Sequence, residues 1–193
     1  MVKSKTKNFV FTLRNLGNYT NIGETYTEKG TVYINEGSGT LFWWNFLRWK
    51  YAIYQLFENR DKFPQLPQNI NLNRQIDDIA IVEIKKKNDN KTETYYPEIQ
   101  YYAKADKEFL KEQILLINPD IIFCGGTFEY LKIIFENKKI LSLTNKNKRN
   151  FLKFDKRLII DFYHPSCRKK DEEPYNEICN DLIKYQIFEH FNW

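Results

Sequence analysis

Short, continuously apolar runs alternate with amphipathic segments from Ile79 to the end of the chain. Because a strand that is covered on both faces carries apolar residues at successive positions, Ile121–Cys124 and Leu158–Phe162 predict buried strands. Ile79–Ile84 is also predicted as a strand. Helices are predicted over Ile99–Ile117, Phe128–Asn137 and Pro174–His190. Strands and helices in this order favour right-handed crossovers, and therefore an α/β fold with a mainly parallel sheet.

The first third of the chain adds two strands and one long helix to this pattern. Phe9–Leu13 and Thr31–Ile34 are rich in β-branched and aromatic residues and predict strands, with a loop over residues 15–30 between them. A helix is predicted over residues 41–59, where apolar side chains recur along one face. These side chains are Phe42, Phe46, Trp49, Ile53 and Leu56. Such a face is typical of a protein core, and the alternative is a docking surface for a protein partner.

Length and composition predict a folded chain of one domain. The 193 residues are 42% hydrophobic and 17% aromatic, so we expect a single domain over residues 1–193 with a sizeable core. No apolar run reaches the roughly 18 residues that cross a bilayer, and we see no signal peptide, so we expect a cytoplasmic protein without membrane contact. The three cysteines form no Cys-x-x-Cys pair, and we expect no metal, cofactor or disulfide framework.

Positive charge is concentrated in one segment, Lys138–Lys170. This segment holds eleven Lys or Arg and two Asp or Glu, a local charge of +9, which leaves −4 for the rest of a chain whose total is +5. Such a segment suits a surface that binds nucleic-acid phosphates, and the alternative is a solvated loop rich in Lys and Asn. The expected contacts with single- or double-stranded DNA are Lys146, Lys148, Arg149, Arg168, Lys169 and Lys170.

Three candidate site segments lie where predicted strands end, which is where open parallel sheets bind ligands. Glu83 is second from the end of the predicted strand Ile79–Ile84, and its carboxylate would either accept from a base amine or pair with a lysine at the sheet rim. Gly125 and Gly126 form a turn that would either approach a substrate or allow a helix to pack closely on its strand. His164 is followed by Pro165, which fixes the local backbone, and its ring would either donate to a developing negative charge or satisfy a carbonyl within the turn. His190, in the last helix, is expected to be structural.

Four segments, taken in order, resemble the uracil-DNA glycosylase superfamily. They are GSGTLFWWNFLRW from Gly37, IDDIAIVEIKKK from Ile76, INPDIIFCGG from Ile117 and LIIDFYHPS from Leu158. The resemblance implies a three-layer α/β/α fold with a central, mainly parallel sheet. It also implies base flipping and hydrolysis of an N-glycosidic bond, in which His164 stabilises the departing base.

The same resemblance assigns further roles by position. Ser166 falls in the turn that grips a backbone phosphate, and Glu83 occupies the place of a base-recognising asparagine. Asn21 and Glu24 are the candidates for the group that positions the attacking water. Because Glu83 replaces an amide, we expect a base other than plain uracil, such as a modified cytosine. The alternatives are an inactive nucleic-acid-binding or sensing module of the same fold and a protein that kept only the fold.

Overall fold

The structure, a computed structural model, describes residues 9–13, 38–60, 62–66, 79–85, 95–136, 140–144, 151–165, 167 and 172–191. These residues fall into two compact units. One takes the described residues within 1–22 and 76–164, and the other takes those within 23–75 and 165–193. We predict from the sequence that residues 1–193 form one domain. Whether the two units together form that domain is not tested by this division, so the single domain stays a prediction.

The first unit is built on a six-stranded mixed sheet. In chain order the strands are β1 (Phe9–Leu13), β2 (Ile79–Glu83), β3 (Ile121–Gly125), β4 (Leu141–Ser142), β5 (Phe151–Phe154) and β6 (Arg157–Phe162). They lie side by side in the order β2-β1-β3-β6-β5-β4. β2, β1, β3 and β6 are parallel to one another. At the edge beside β6, β5 pairs antiparallel with β6, and β4 pairs antiparallel with β5. The predicted α/β class and the four predicted strands in this unit are thereby confirmed.

Three helices of the first unit cover one face of this sheet. They are α2 (Tyr96–Ala105), α3 (Lys107–Ile117) and α4 (Phe128–Ile134). Val10, Val82 and Ile122 project from adjacent strands into one apolar core with Leu110 and Ile114 of α3. All five residues of β3 are buried, as expected for a strand that is covered on both faces.

Two features of the first unit differ from the sequence-based prediction. The single helix predicted over Ile99–Ile117 is two helices that meet at Asp106, where φ is −99° and ψ is 17°. The segment between α4 and β6, predicted as a loop, contains β4 and β5. A tight turn joins β5 to β6, with Asp155 at a positive φ of 57° that short polar residues tolerate. The unpredicted strands are two and four residues long, too short to give a periodic pattern.

The second unit contains α1 (Ser38–Glu58) and α5 (Glu172–Lys184), which pack against each other, and a 3₁₀ helix over Ile187–His190. The predicted helix over residues 41–59 is confirmed. In the segment predicted as a helix over Pro174–His190, the α-helix begins at Glu172 and ends at Lys184. Its chain reverses at Gln186, where φ is 48°.

The apolar face of α1 is packed inside the second unit. Phe46, Trp49, Ile53 and Leu56 are at most 1% exposed, so the interpretation of this stripe as core is confirmed. The side chain of Phe42 and the predicted strand Thr31–Ile34 lie outside the described residues. A protein partner that docks through this helix stays a prediction, and the four buried side chains are not exposed for it. In the part of the chain that the structure describes, no helix is long and apolar enough to cross a membrane.

Candidate functional site at the carboxyl edge of the sheet

The four parallel strands end at the same level of the sheet. Leu13 of β1 pairs with Glu83 of β2, and Gly125 of β3 pairs with Phe162 of β6. β1 lies between β2 and β3, so the chain proceeds to one side of β1 first and to the other side afterwards. Sheets of this kind bind ligands beyond the carboxyl ends of the strands where this reversal occurs. Here the reversal lies between β1 and β3.

The glycine turn after β3 connects the ends of two neighbouring strands. The Gly126 amide N–H points to the Cys124 carbonyl at 2.9 Å and to the Phe162 carbonyl at 3.0 Å. Gly126 has a φ of 68°, a conformation that glycine adopts without steric cost. The turn therefore closes directly against the end of β6, two residues before His164.

His164 is partly buried and lies just beyond the end of β6. The residue that follows it, Pro165, belongs to the second unit and is buried. Within that unit, the Asn45 side-chain amide of α1 donates a hydrogen bond of 2.6 Å to the Pro165 carbonyl. Asn45 is itself only 1% exposed. The backbone after His164 is thus held both by the proline ring and by a buried amide.

Glu83 occupies the last position of β2 and is partly buried. Two strands, β1 and β3, lie between β2 and β6, and three strand spacings amount to about 14 Å. The structure therefore brings Gly125 and the strand that precedes His164 side by side, and it sets Glu83 across the switch point from them. One base can contact both Glu83 and His164 only if the two side chains reach toward each other over the ends of β1 and β3.

The lysine at the rim beside Glu83 has a described partner on another element. Lys85 is 2% exposed, and its ammonium lies 2.9 Å from a carboxylate oxygen of Glu98 on α2. It also lies 5.7 Å from the centre of the Tyr102 ring. The charged turn predicted over Lys85–Thr94 thus begins with an ion pair whose lysine is buried, and its other residues from 86 to 94 lie outside the described residues.

Several predicted site residues lie outside the described residues. Among them are the water-positioning candidates Asn21 and Glu24, the phosphate-gripping Ser166, and the whole predicted DNA-binding set: Lys146, Lys148, Arg149, Arg168, Lys169 and Lys170. One cation of the basic segment, Arg157, is described and is structural. It is 6% exposed and donates to Asp155 at 3.1 Å and to Asn118 at 3.0 Å.

A cavity of about 360 Å³ lies beside the glycine turn, and sequence analysis did not predict it. It is formed by the beginning of α2 and the beginning of α4, with Gly126 between them. Next to Pro97, Tyr95 and Tyr96 are 68% and 58% exposed, and no pattern in the sequence connects them with α4.

Within the described ranges, no three His, Cys, Asp or Glu side chains come together in the way metal ligands do. Cys124, Cys167 and Cys179 form no disulfide.

Comparison with protein families finds no family model that matches this chain, and comparison with curated proteins finds no match either.

Proposed function

We propose that this protein is a base-recognising N-glycosidase with a uracil-DNA glycosylase-like, three-layer fold that acts on DNA. The observation that carries the proposal is the hydrogen bond of 3.0 Å from the Gly126 amide to the Phe162 carbonyl. This bond aligns the glycine turn with the strand that leads to His164, next to the topological switch point where such sheets bind ligands. The order of the four resembling segments along the chain supports the same assignment.

The proposed reaction begins when the target nucleotide is flipped out of the helix, at a cost of a few kcal/mol. The bond between C1′ of the sugar and the base nitrogen then breaks, and the base leaves with the electron pair. His164 donates a hydrogen bond to the oxygen on which the negative charge develops. Water, positioned by Asn21 or Glu24, adds to C1′, and the proton that it loses neutralises the released base anion. One such donor contributes roughly a hundredfold to a thousandfold in rate.

The base is selected by Glu83 in this proposal. Uracil presents a carbonyl acceptor beside an N–H donor, and an asparagine amide satisfies both. An ionised glutamate only accepts, so it would leave the uracil carbonyl unpaired at a cost of about 1–3 kcal/mol. Cytosine and its 5-substituted forms present an exocyclic amine at the same edge, which a carboxylate can bind. A modified cytosine is therefore the preferred substrate class.

The test compares abasic-site formation in DNAs that carry uracil, cytosine or a 5-modified cytosine at one position, detected by alkaline cleavage. We expect the native protein to release a cytosine-type base, and Glu83→Asn to gain roughly tenfold or more in relative uracil release. Glu112→Asn is the matched control, because Glu112 is an exposed carboxylate on α3, away from the strand ends.

Efficient uracil release by the native protein, undiminished relative to the cytosines, would overturn the assignment of Glu83. DNA binding without abasic sites on any base would instead support an inactive nucleic-acid-binding module of the same fold.

A further inference from the structure

The cavity beside the glycine turn has the composition of a small-ligand site. It is lined by Tyr96, Pro97, Gln100, Gly126, Glu129 and Tyr130. Its volume of about 360 Å³ lies within the roughly 300–1,000 Å³ that such sites occupy. All six residues belong to the first unit, where α2 packs against α4. The walls are therefore held by helices that share the core of the sheet.

The side chains that line the cavity combine the aromatic surface of two tyrosines with one side-chain amide, that of Gln100. Tyr96 and Gln100 are four residues apart on α2, which places them on one face of that helix. The Tyr96 ring is 58% exposed, whereas Tyr130 is 8% exposed and forms part of the cavity wall. A planar ring can stack on Tyr96, while the Gln100 amide offers both a donor and an acceptor to its edge.

The charge of the cavity disfavours phosphate. Glu129 is the one ionisable carboxylate among the six lining residues, and no Lys or Arg lines the cavity. Lys132, one turn further along α4, lies 2.6 Å from a Glu129 carboxylate oxygen. An ionised carboxylate accepts hydrogen bonds and donates none. The cavity therefore suits an uncharged ring with an amine at its edge.

We propose that this cavity binds a nucleobase that carries an exocyclic amine. The base stacks on Tyr96, its amine donates to Glu129, and Gln100 pairs with the adjoining ring edge. Such a base comes either from a free nucleoside or from a nucleotide within a strand. In the second case it is a neighbour of the flipped target, since the Gly126 wall of the cavity adjoins the end of β6; that part of the inference rests on the proposed function.

The experiment measures the fluorescence of 2-aminopurine, which falls when the base stacks on an aromatic ring. The probes are 2-aminopurine riboside and a short single-stranded oligonucleotide that contains one 2-aminopurine. We expect saturable quenching that weakens about tenfold or more in Tyr96→Ala. Tyr101→Ala is the matched control, because Tyr101 is 65% exposed on the same helix and does not line the cavity.

A second comparison tests the amine. Purine riboside, which has the same ring system without the amine, should compete more weakly than 2-aminopurine riboside against the native protein. This difference should disappear in Glu129→Gln, because the charged acceptor is lost. Stronger binding of the oligonucleotide than of the riboside would support a strand as the natural source, and binding of the riboside alone would support a free nucleoside.

The proposal is overturned if neither probe is quenched, if Tyr96→Ala and Tyr101→Ala behave alike, or if inorganic phosphate displaces the probe as well as a nucleoside does. The failure of the proposed function is a separate result. His164→Ala should slow base release roughly a hundredfold to a thousandfold, whereas the 2-aminopurine quenching that it shows should equal that of the native protein.

Discussion

At the scale of single residues, Tyr175 and Cys179 make the second unit sensitive to alkaline pH. They lie four positions apart on α5, and both are fully buried. Burial raises the pKa of the Cys179 thiol from 9.0 to about 12, and burial, with a smaller contribution from Cys179, raises the pKa of Tyr175 still further. Both groups ionise more readily in the unfolded chain. Their contribution to stability is therefore complete below about pH 9 and is lost as the pH rises toward 12 and beyond.

We predict that Tyr175→Phe changes this alkaline response. The Tyr175 hydroxyl lies 3.1 Å from the Gln65 carbonyl and 3.3 Å from the Pro64 carbonyl, so its removal should lower the free energy of unfolding at pH 7 by about 1 kcal/mol. Between pH 9 and pH 11 the variant should lose less stability than the native protein, because one ionisable group is gone. Denaturant titrations at several pH values measure both effects, with Tyr101→Phe as the exposed control. Identical pH profiles for the native protein and Tyr175→Phe would contradict the prediction.

At the scale of elements, hydrogen bonds of Asn118 and Asp120 connect the segment that follows α3 to the beginning of β6. Asn118 ends α3 in the left-handed region, with a φ of 49°, and its side-chain oxygen accepts from the Arg157 guanidinium at 3.0 Å. The Leu158 amide N–H also donates to the Asp120 carbonyl at 2.9 Å. These bonds position the amino end of β6, the strand whose other end leads to His164.

We predict that two substitutions separate the roles of Asn118. Asn118→Gly keeps the left-handed conformation but removes the acceptor for a nearly buried guanidinium, so it should cost about 1–3 kcal/mol of unfolding free energy. Asn118→Ala removes the same acceptor and adds about 1 kcal/mol of backbone strain. Equilibrium unfolding in denaturant measures the difference. Equal stabilities for the two variants would contradict the role assigned to the left-handed backbone.

Elements with short, continuous apolar runs could be predicted from the sequence, whereas features stabilised by distant partners could not. All five residues of β3 are buried, and β6 contains the buried apolar run Leu158–Ile160. The break between α2 and α3 at Asp106 does not interrupt the helical pattern of apolar residues in the sequence. Helical hydrogen bonding resumes at once, since the Leu110 amide donates to the Asp106 carbonyl at 2.9 Å. The burial of Lys85 depends on Glu98, a residue on a different helix that only the folded chain brings near.

At the scale of the whole molecule, the strand order decides which predicted site residues are neighbours. The sequence places Glu83, Gly125 and His164 at or near the ends of strands, and the structure confirms these positions. The sequence alone does not indicate that β1 and β3 separate Glu83 from β6, because strand order depends on pairings between residues far apart in the chain. The cavity between α2 and α4 was missed for the same reason. The cavity is lined by Tyr96 of α2 and Glu129 of α4, and no local sequence pattern indicates that these two helices pack together.

The measurement that tests the central proposal most directly is the single-turnover rate of abasic-site formation in His164→Ala, on the base that the native protein releases fastest. We predict a loss of roughly a hundredfold to a thousandfold, while the affinity for the same DNA stays nearly unchanged. His190→Ala is the matched control, since His190 is an exposed histidine in the 3₁₀ helix and should leave the rate unaltered. Base release by His164→Ala at the native rate, or the absence of base release by the native protein from every DNA tested, would contradict the account.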